Sequence, residues 1–257
     1  MYFDSHAHLT CDALYPDIDE QLKRAADASV RAIANICTDQ QTLERGLELS
    51  VKYAWLYNVG ATTPHDVATL GEKDFPVFEK AALNKQLVAV GESGLDYYYE
   101  HSPKALQQEF LKRYFDLAQR TTLPIVIHCR DAFDDLFKLA DAHYEKSAPL
   151  ILHCFTGTLD EALEVIKRGW YLSLSGIVTF KRSDVLRTVA AQVPIDQLLI
   201  ETDAPYLAPM PYRGKQNESA YVVHTAKCIA DTRNMDLAEL AHATYKNAAR
   251  VFSIEID

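Results

Sequence analysis

Two histidines, His6 and His8, stand two residues apart near the start of the chain. In an extended strand such a pair shares one face, so both rings can point at one ion. Four further ligand-type residues are scattered far along the sequence: Glu92, His128, His153 and Asp203. Each of the six falls at or just after the end of a short apolar run. Imidazole and carboxylate suit zinc, manganese or iron, with magnesium the poorest match for four histidines. Four histidines and two carboxylates are too many for one tetrahedral ion. The set therefore predicts two divalent ions (Zn, Mn or Mg) with one carboxylate shared between them. Two ions about 3.5–4 Å apart can clamp a phosphoryl group and activate water as a nucleophile. A lone histidine at a strand end is ordinarily a polar cap. Six such residues on one face are hard to explain structurally, because buried charge is costly unless paired or metal-bound.

The elements that must position them follow a regular order. Apolar runs fall at Tyr2–His6, Ala32–Cys37, Ala54–Val59, Leu87–Gly91, Pro124–His128, Leu150–His153, Trp170–Leu174 and Leu198–Thr202. Amphipathic stretches alternate with them. Residues 103–121 space their apolar positions near 3.6, with Pro103 suited to a first helical turn. Asp160–Arg168, Ser183–Gln192 and Ala220–Asp231 read similarly, and a helix after residue 235 is an addition at the C-terminal end. Eight strands alternating with helices over this length predict an α/β chain folded as one (β/α)8 TIM barrel spanning residues 1–257. An open doubly wound sheet is the alternative. Barrel closure decides between them, because it alone brings run eight beside run one and gathers all six residues at the C-terminal face.

Composition narrows the rest. The chain has 257 residues, 48% hydrophobic and 24% charged, which suits a globular protein and argues against disorder. A formal net charge of −10 argues against a protein coated in basic surface. No run of about 18 apolar residues suggests a membrane span. MYFDSHAHLT shows neither the basic nor the apolar region of a secretory leader. The five cysteines, Cys11, Cys37, Cys129, Cys154 and Cys228, form no CxxC and indicate neither disulfides nor a thiolate zinc site. A reducing cytoplasm and a monomer are the expectations. Cys129 and Cys154 each follow a histidine by one residue, so strand alternation reads them as packed thiols facing away from the ions. His65, His101, His143, His224 and His242 show no ligand-like placement.

The chain resembles the TatD family of metal-dependent hydrolases, within the amidohydrolase-like barrels. The resemblance covers nearly the whole chain. It rests on FDSHAHL (3–9), VGESGLDYY (90–98), PIVIHCRDA (124–132), LHCFTG (152–157), SLSGIVTFK (173–181), LLIETDAPYLAP (198–209) and RGKQNE (213–218). It implies that His6, His8 and Asp203 hold a first ion, that Glu92 bridges, and that His128 and His153 hold a second. Glu92 stands where many amidohydrolases carry a carboxylated lysine. The resemblance further implies a metal-dependent deoxyribonuclease, of exonuclease type. The expected mechanism is a two-metal-activated water whose proton passes to Asp203, ligand and general base together. Net charge favours a single-stranded DNA substrate or a strand end over long duplex. Two alternatives keep the same core: an esterase or deacylase, such as on aminoacyl-tRNA, and a non-catalytic metal-binding protein.

Other residues carry supporting expectations. Arg213, Lys215 and Asn217 lie in a loop after run eight and could contact phosphate oxygens. Lys181 adds a further positive charge. Glu201, two residues before Asp203, could orient a ligand or pair with Arg213. Asp4 alternates with His6 and could fix a ligand histidine. Tyr97, Tyr98 and Tyr99 could stack a base or pack as a lid. The family commonly carries G-x-H-P after run three. Here the segment reads Gly60-Ala61-Thr62-Thr63-Pro64-His65, with Thr63 where the histidine is usual and one residue more. His65 could substitute only if the loop bends. Ser219 replaces a frequent proline.

Overall fold

A computed structural model describes residues 1–145 and 148–255. Eight strands lie in chain order: β1 (Tyr2–Ala7), β2 (Val30–Cys37), β3 (Leu56–Gly60), β4 (Ala89–Asp96), β5 (Ile125–Arg130), β6 (Leu150–Leu152), β7 (Tyr171–Leu174) and β8 (Leu198–Ile200). Every neighbouring pair from β1 to β8 is parallel. The ends meet just past the strands. Ala7 bridges Ala204 in parallel, the His8 amide donates to the Ala204 carbonyl at 2.7 Å, and the Asp203 amide donates to the His6 carbonyl at 2.9 Å. The sheet therefore closes into the (β/α)8 barrel.

Helices fill the connections: α1 (Ile18–Asp27), α2 (Gln40–Lys52), α3 (Gly71–Leu83), α4 (Lys104–Thr121), α5 (Phe133–His143), α6 (Leu159–Lys167), α7 (Asp184–Gln192) and α8 (Val222–Arg233). Their starts follow local chemistry. Asp39 and Thr158 each close a capping box with the residue three further on, satisfying amides that the first turn leaves without partners. Among the described residues, no helix is long and apolar enough to cross a membrane.

The core has two layers. The larger lies between strands and helices, with Ile33, Leu95, Phe110, Tyr114 and Leu172 fully buried in it. The smaller fills the barrel interior with Phe3, Ala32, Ala34, Ala89, Val126, Ile151 and Leu199. The C-terminal helix α9 (Leu237–Val251) completes this inner layer through Ala248, Val251 and the following Phe252. Phe252 stacks on Phe3 with ring centres 5.7 Å apart. These partners stand at the N-terminal ends of their strands, so α9 stoppers that end. Burying an apolar side chain of this size contributes about 1.5–3 kcal/mol. The barrel is thus closed below and opens at its C-terminal mouth.

Candidate metal centre

All six ligand-type residues meet at that mouth. His6 comes from β1 and His8 from the turn after it; Glu92 lies in β4 and His128 in β5. His153 follows β6 by one residue, and Asp203 stands three past β8 with a left-handed φ of 58°. Such backbone costs a non-glycine residue about 1–3 kcal/mol and concentrates at functional sites. The His6 and His8 Nε2 atoms lie 3.3 Å apart, and Asp203 Oδ1 is 3.7 Å and 3.4 Å from them. His153 Nε2 lies 3.4 Å from His128 Nδ1.

Glu92 sits between these two groups with one oxygen turned to each. Its Oε2 is 3.3 Å from His6 Nε2 and 3.6 Å from His8 Nε2. Its Oε1 is 2.9 Å from His153 Nε2 and 3.1 Å from His128 Nδ1. Burial alone would raise the Glu92 carboxyl. The His153 charge and hydrogen bonds from His128, His153 and His6 outweigh burial and hold it well below the usual carboxylate range. Asp203 behaves likewise: burial opposes ionisation, but His8 and His6 keep its carboxyl below its ordinary value. Buried imidazole nitrogens facing one another beside ionised carboxylates are the environment a divalent cation resolves. His6, His8 and Asp203 form one group of suitable donors, and Glu92, His128 and His153 another. The donor set fits two ions.

The supporting residues fall less regularly. Glu201 is fully buried; its Oε1 accepts the Cys154 amide at 2.6 Å and lies 3.5 Å from His153 Nδ1. It therefore attends His153 rather than Arg213. The β1–β2 register shifts between Asp4 and Ala7, and Asp4 Oδ1 accepts the His6 backbone amide at 3.5 Å while the buried His6 Nδ1 has no hydrogen-bond partner among the described residues. The Asp4 carboxylate also accepts the Thr202 amide at 2.8 Å and hydroxyl at 2.6 Å, tying β1 to the end of β8. Burial pushes its carboxyl up to about 7. Asn217 is buried, and its amide donates to the Thr202 carbonyl at 2.8 Å and the Tyr206 carbonyl at 2.6 Å. Those donors are committed to shaping the loop, which corrects the expectation of a substrate contact. Arg213 and Lys215 are exposed, Arg213 over the Phe180 ring at 4.5 Å and Lys215 over Tyr212 at 5.8 Å. Neither they nor Lys181 line the cavity above the cluster, which measures about 490 Å³.

Several cavity residues escaped the sequence reading. Asp96, at the end of β4, is buried and accepts His128 Nε2 at 2.9 Å. Its other oxygen accepts the Tyr98 and Tyr99 amides at 3.0 and 2.8 Å. Burial would raise its carboxyl, but the His128 bond and the Tyr99 amide bring it down to about 2. Strand alternation from Glu92 through Gly94 could have identified it. His65 also lines the cavity, with Nε2 3.6 Å from Asp96 and its ring centre 5.3 Å from that of His128. The turn from Thr63 to Asp66, closed by a 3.0 Å backbone bond and by the Thr63 hydroxyl on Asp66, supplies the required bend. His101 lies 5.3 Å from the His65 ring, while His143 and His242 are exposed. Cys129 and Cys154 line the cavity too. Cys154 lies beyond β6 with φ at 43°, so strand alternation does not apply to it. Tyr97 donates its hydroxyl to Asp135 of α5 at 3.0 Å and does not line the cavity, whereas Tyr99 does.

A parallel eight-stranded barrel with four histidines and two carboxylates at its open mouth belongs to the class of metal-dependent hydrolases. The family model described as TatD related DNase matches residues 3–253, and the chain belongs to that family. It is 38% identical over 254 residues to YabD of Bacillus subtilis (strain 168), named an uncharacterized metal-dependent hydrolase, covering 99% of this chain and 100% of that one. It is 35% identical over 256 residues to a Cronobacter sakazakii protein named 3'-5' ssDNA/RNA exonuclease TatD, covering 97% of each. Among solved structures, YjjV, a TatD homologue from Escherichia coli K12, superposes with a TM-score of 0.93 at 27% identity over 99% of this chain and 98% of that one.

Proposed function

We propose that this chain is a two-metal phosphodiesterase that shortens single-stranded DNA from an end. The observation that carries the reading is Glu92, whose two oxygens face two separate histidine groups. The family description and the name of the Cronobacter relative support the substrate class. In this reading His6, His8 and Asp203 would hold one ion and His128 and His153 the other, with Glu92 available to both. Two divalent ions there would polarise a phosphoryl oxygen and make water nucleophilic near neutral pH.

The chain's own groups supply the rest. The Asp203 carboxylate is ionised and retains some exposure to the cavity. It accepts the proton of the attacking water as the new P–O bond forms. The same proton then goes to the sugar oxygen as its bond to phosphorus breaks, so the carboxylate ends unchanged. Glu201 holds the turn that carries His153. Arg213 and Lys215, exposed beyond the cavity, serve strands longer than the cavity holds.

The test uses metal-reconstituted protein and a single-stranded oligonucleotide labelled separately at each end, beside Asp203→Asn. Progressive shortening of wild type is expected, with the variant slower by about 10²-fold or more. Turnover by Asp203→Asn within a few-fold of wild type would remove Asp203 from its role. If protein shown to hold two ions cleaves no phosphodiester with Mn²⁺, Mg²⁺ or Zn²⁺ but hydrolyses an aminoacyl ester, the phosphodiesterase reading fails.

A further inference from the structure

One fixed positive charge in the cavity wall has no part in that chemistry. Arg130 is the one lysine or arginine among the described residues lining the cavity. It ends β5, two residues beyond His128, so the two side chains leave the strand on the same side. The strand rise places Arg130 about 6.6 Å further along than His128. Asp96 pairs with Arg130 across the sheet, and the Tyr97 amide donates to the Arg130 carbonyl at 2.9 Å. The backbone beneath the guanidinium is therefore held on both sides. The guanidinium itself lies 3.9 Å from the ring centre of Tyr98 and 4.9 Å from that of Tyr99. Among the described residues it makes no ion pair and donates no hydrogen bond, which leaves its planar fork free.

Tyr99 supplies a second, different surface. Its ring lines the cavity and is half exposed. It lies parallel to His101 with centres 5.4 Å apart and meets Tyr98 edge-on at 4.8 Å. Its amide is fastened to Asp96. An aromatic face so fixed can stack a base, and a stacked guanidinium beside it presents paired donors to a phosphate.

We propose that Arg130 and Tyr99 form a nucleotide subsite beside the hydrolytic centre. Arg130 binds the phosphate one linkage from the bond that is cut, and Tyr99 carries a base. The proposal rests on the phosphodiesterase reading for its substrate, but its test does not depend on cleavage. The ligands are thymidine dinucleotides in which both bridging oxygens of the internal linkage are replaced by methylene, so that the linkage cannot be hydrolysed. One carries a 5′-phosphate, one a 3′-phosphate and one neither, and each competes with a fluorescent trinucleotide carrying the same methylene linkages for the metal-loaded protein.

Wild type is expected to bind one phosphorylated form at least about tenfold more tightly than the bare dinucleotide, the scale of a charge-assisted hydrogen bond. Arg130→Ala abolishes that preference, Arg130→Lys restores part of it, and Tyr99→Ala weakens all three ligands together. If Arg130→Ala melts early, Arg130→Gln keeps bulk against the tyrosines without the charge and gives the same readout. Equal binding of all three ligands by wild type overturns the proposal, as does a preference that survives loss of the arginine. Turnover of bis(p-nitrophenyl) phosphate is followed in parallel. Turnover without phosphate preference sinks the subsite alone; preference without turnover of any phosphodiester sinks the phosphodiesterase reading and leaves the subsite standing.

Discussion

Replacing Asp96 by asparagine isolates how the barrel tunes a ligand it does not directly share. His128 presents Nδ1 to Glu92 and His153 and Nε2 to Asp96. For Nδ1 to offer a lone pair to an ion, the proton must sit on Nε2. Asp96, ionised and acceptor-only, enforces that arrangement: Oδ2 takes Nε2–H while Oδ1 takes the Tyr98 and Tyr99 amides. An asparagine has one acceptor oxygen for these two tasks. If the oxygen serves the two amides, the NH₂ faces Nε2 and drives the proton to Nδ1, where it blocks ligation. If the oxygen serves His128, the NH₂ confronts two N–H donors and the tyrosine segment loses its anchor. Partners of this kind are worth about 10–100-fold in metal affinity, or about 1.4–2.7 kcal/mol. Competition against a chromophoric zinc chelator reads the two ions as separate steps. If two ions bind as proposed, the one that Glu92, His128 and His153 would hold is expected to weaken by that factor, and the one that His6, His8 and Asp203 would hold to stay within threefold. Two unchanged affinities, or two equal losses, refute the reasoning.

Chelation and backbone geometry give two further expectations. An ion present at 100 times its dissociation constant stabilises the fold by about 2.7 kcal/mol, so EDTA should lower Tm by about 5–10 °C per ion in a chain of this size. The difference between loaded and stripped protein should close as pH falls, because ligand histidines must be neutral to bind; an EDTA-insensitive Tm by scanning fluorimetry would contradict the metal centre. Gly94 has φ at 145°, and a Cβ there would stand 1.9 Å from the His128 carbonyl oxygen. Gly94→Ala should therefore cost more than about 4 kcal/mol, whereas Gly169→Ala, with φ at 76° and no atom within 4 Å, should cost about 1 kcal/mol. Urea titration of both variants checks the ordering, and a Gly94→Ala protein as stable as Gly169→Ala would refute a close β4–β5 approach at Gly94.

The sequence by itself determined the alternation of apolar runs with amphipathic stretches, and with it the barrel. It also placed His6, His8, Glu92, His128, His153 and Asp203 at the ends of those runs. Strand period and barrel closure are rules that act through local pattern, so residues obeying them can be found without coordinates. Tertiary structure decided the positions where that pattern breaks. In β1, where the register shifts, Asp4 holds the His6 backbone amide and Thr202 rather than the His6 ring. The left-handed turn after β6 brought Cys154 to the cavity. The bend from Thr63 to Asp66 carried His65 to Asp96. Asn217 looked like a phosphate contact on its loop, yet the two carbonyls it satisfies lie 15 and 11 residues away along the chain. A side chain's direction in a turn depends on backbone angles and on partners distant in sequence, and neither is written in residue type or spacing.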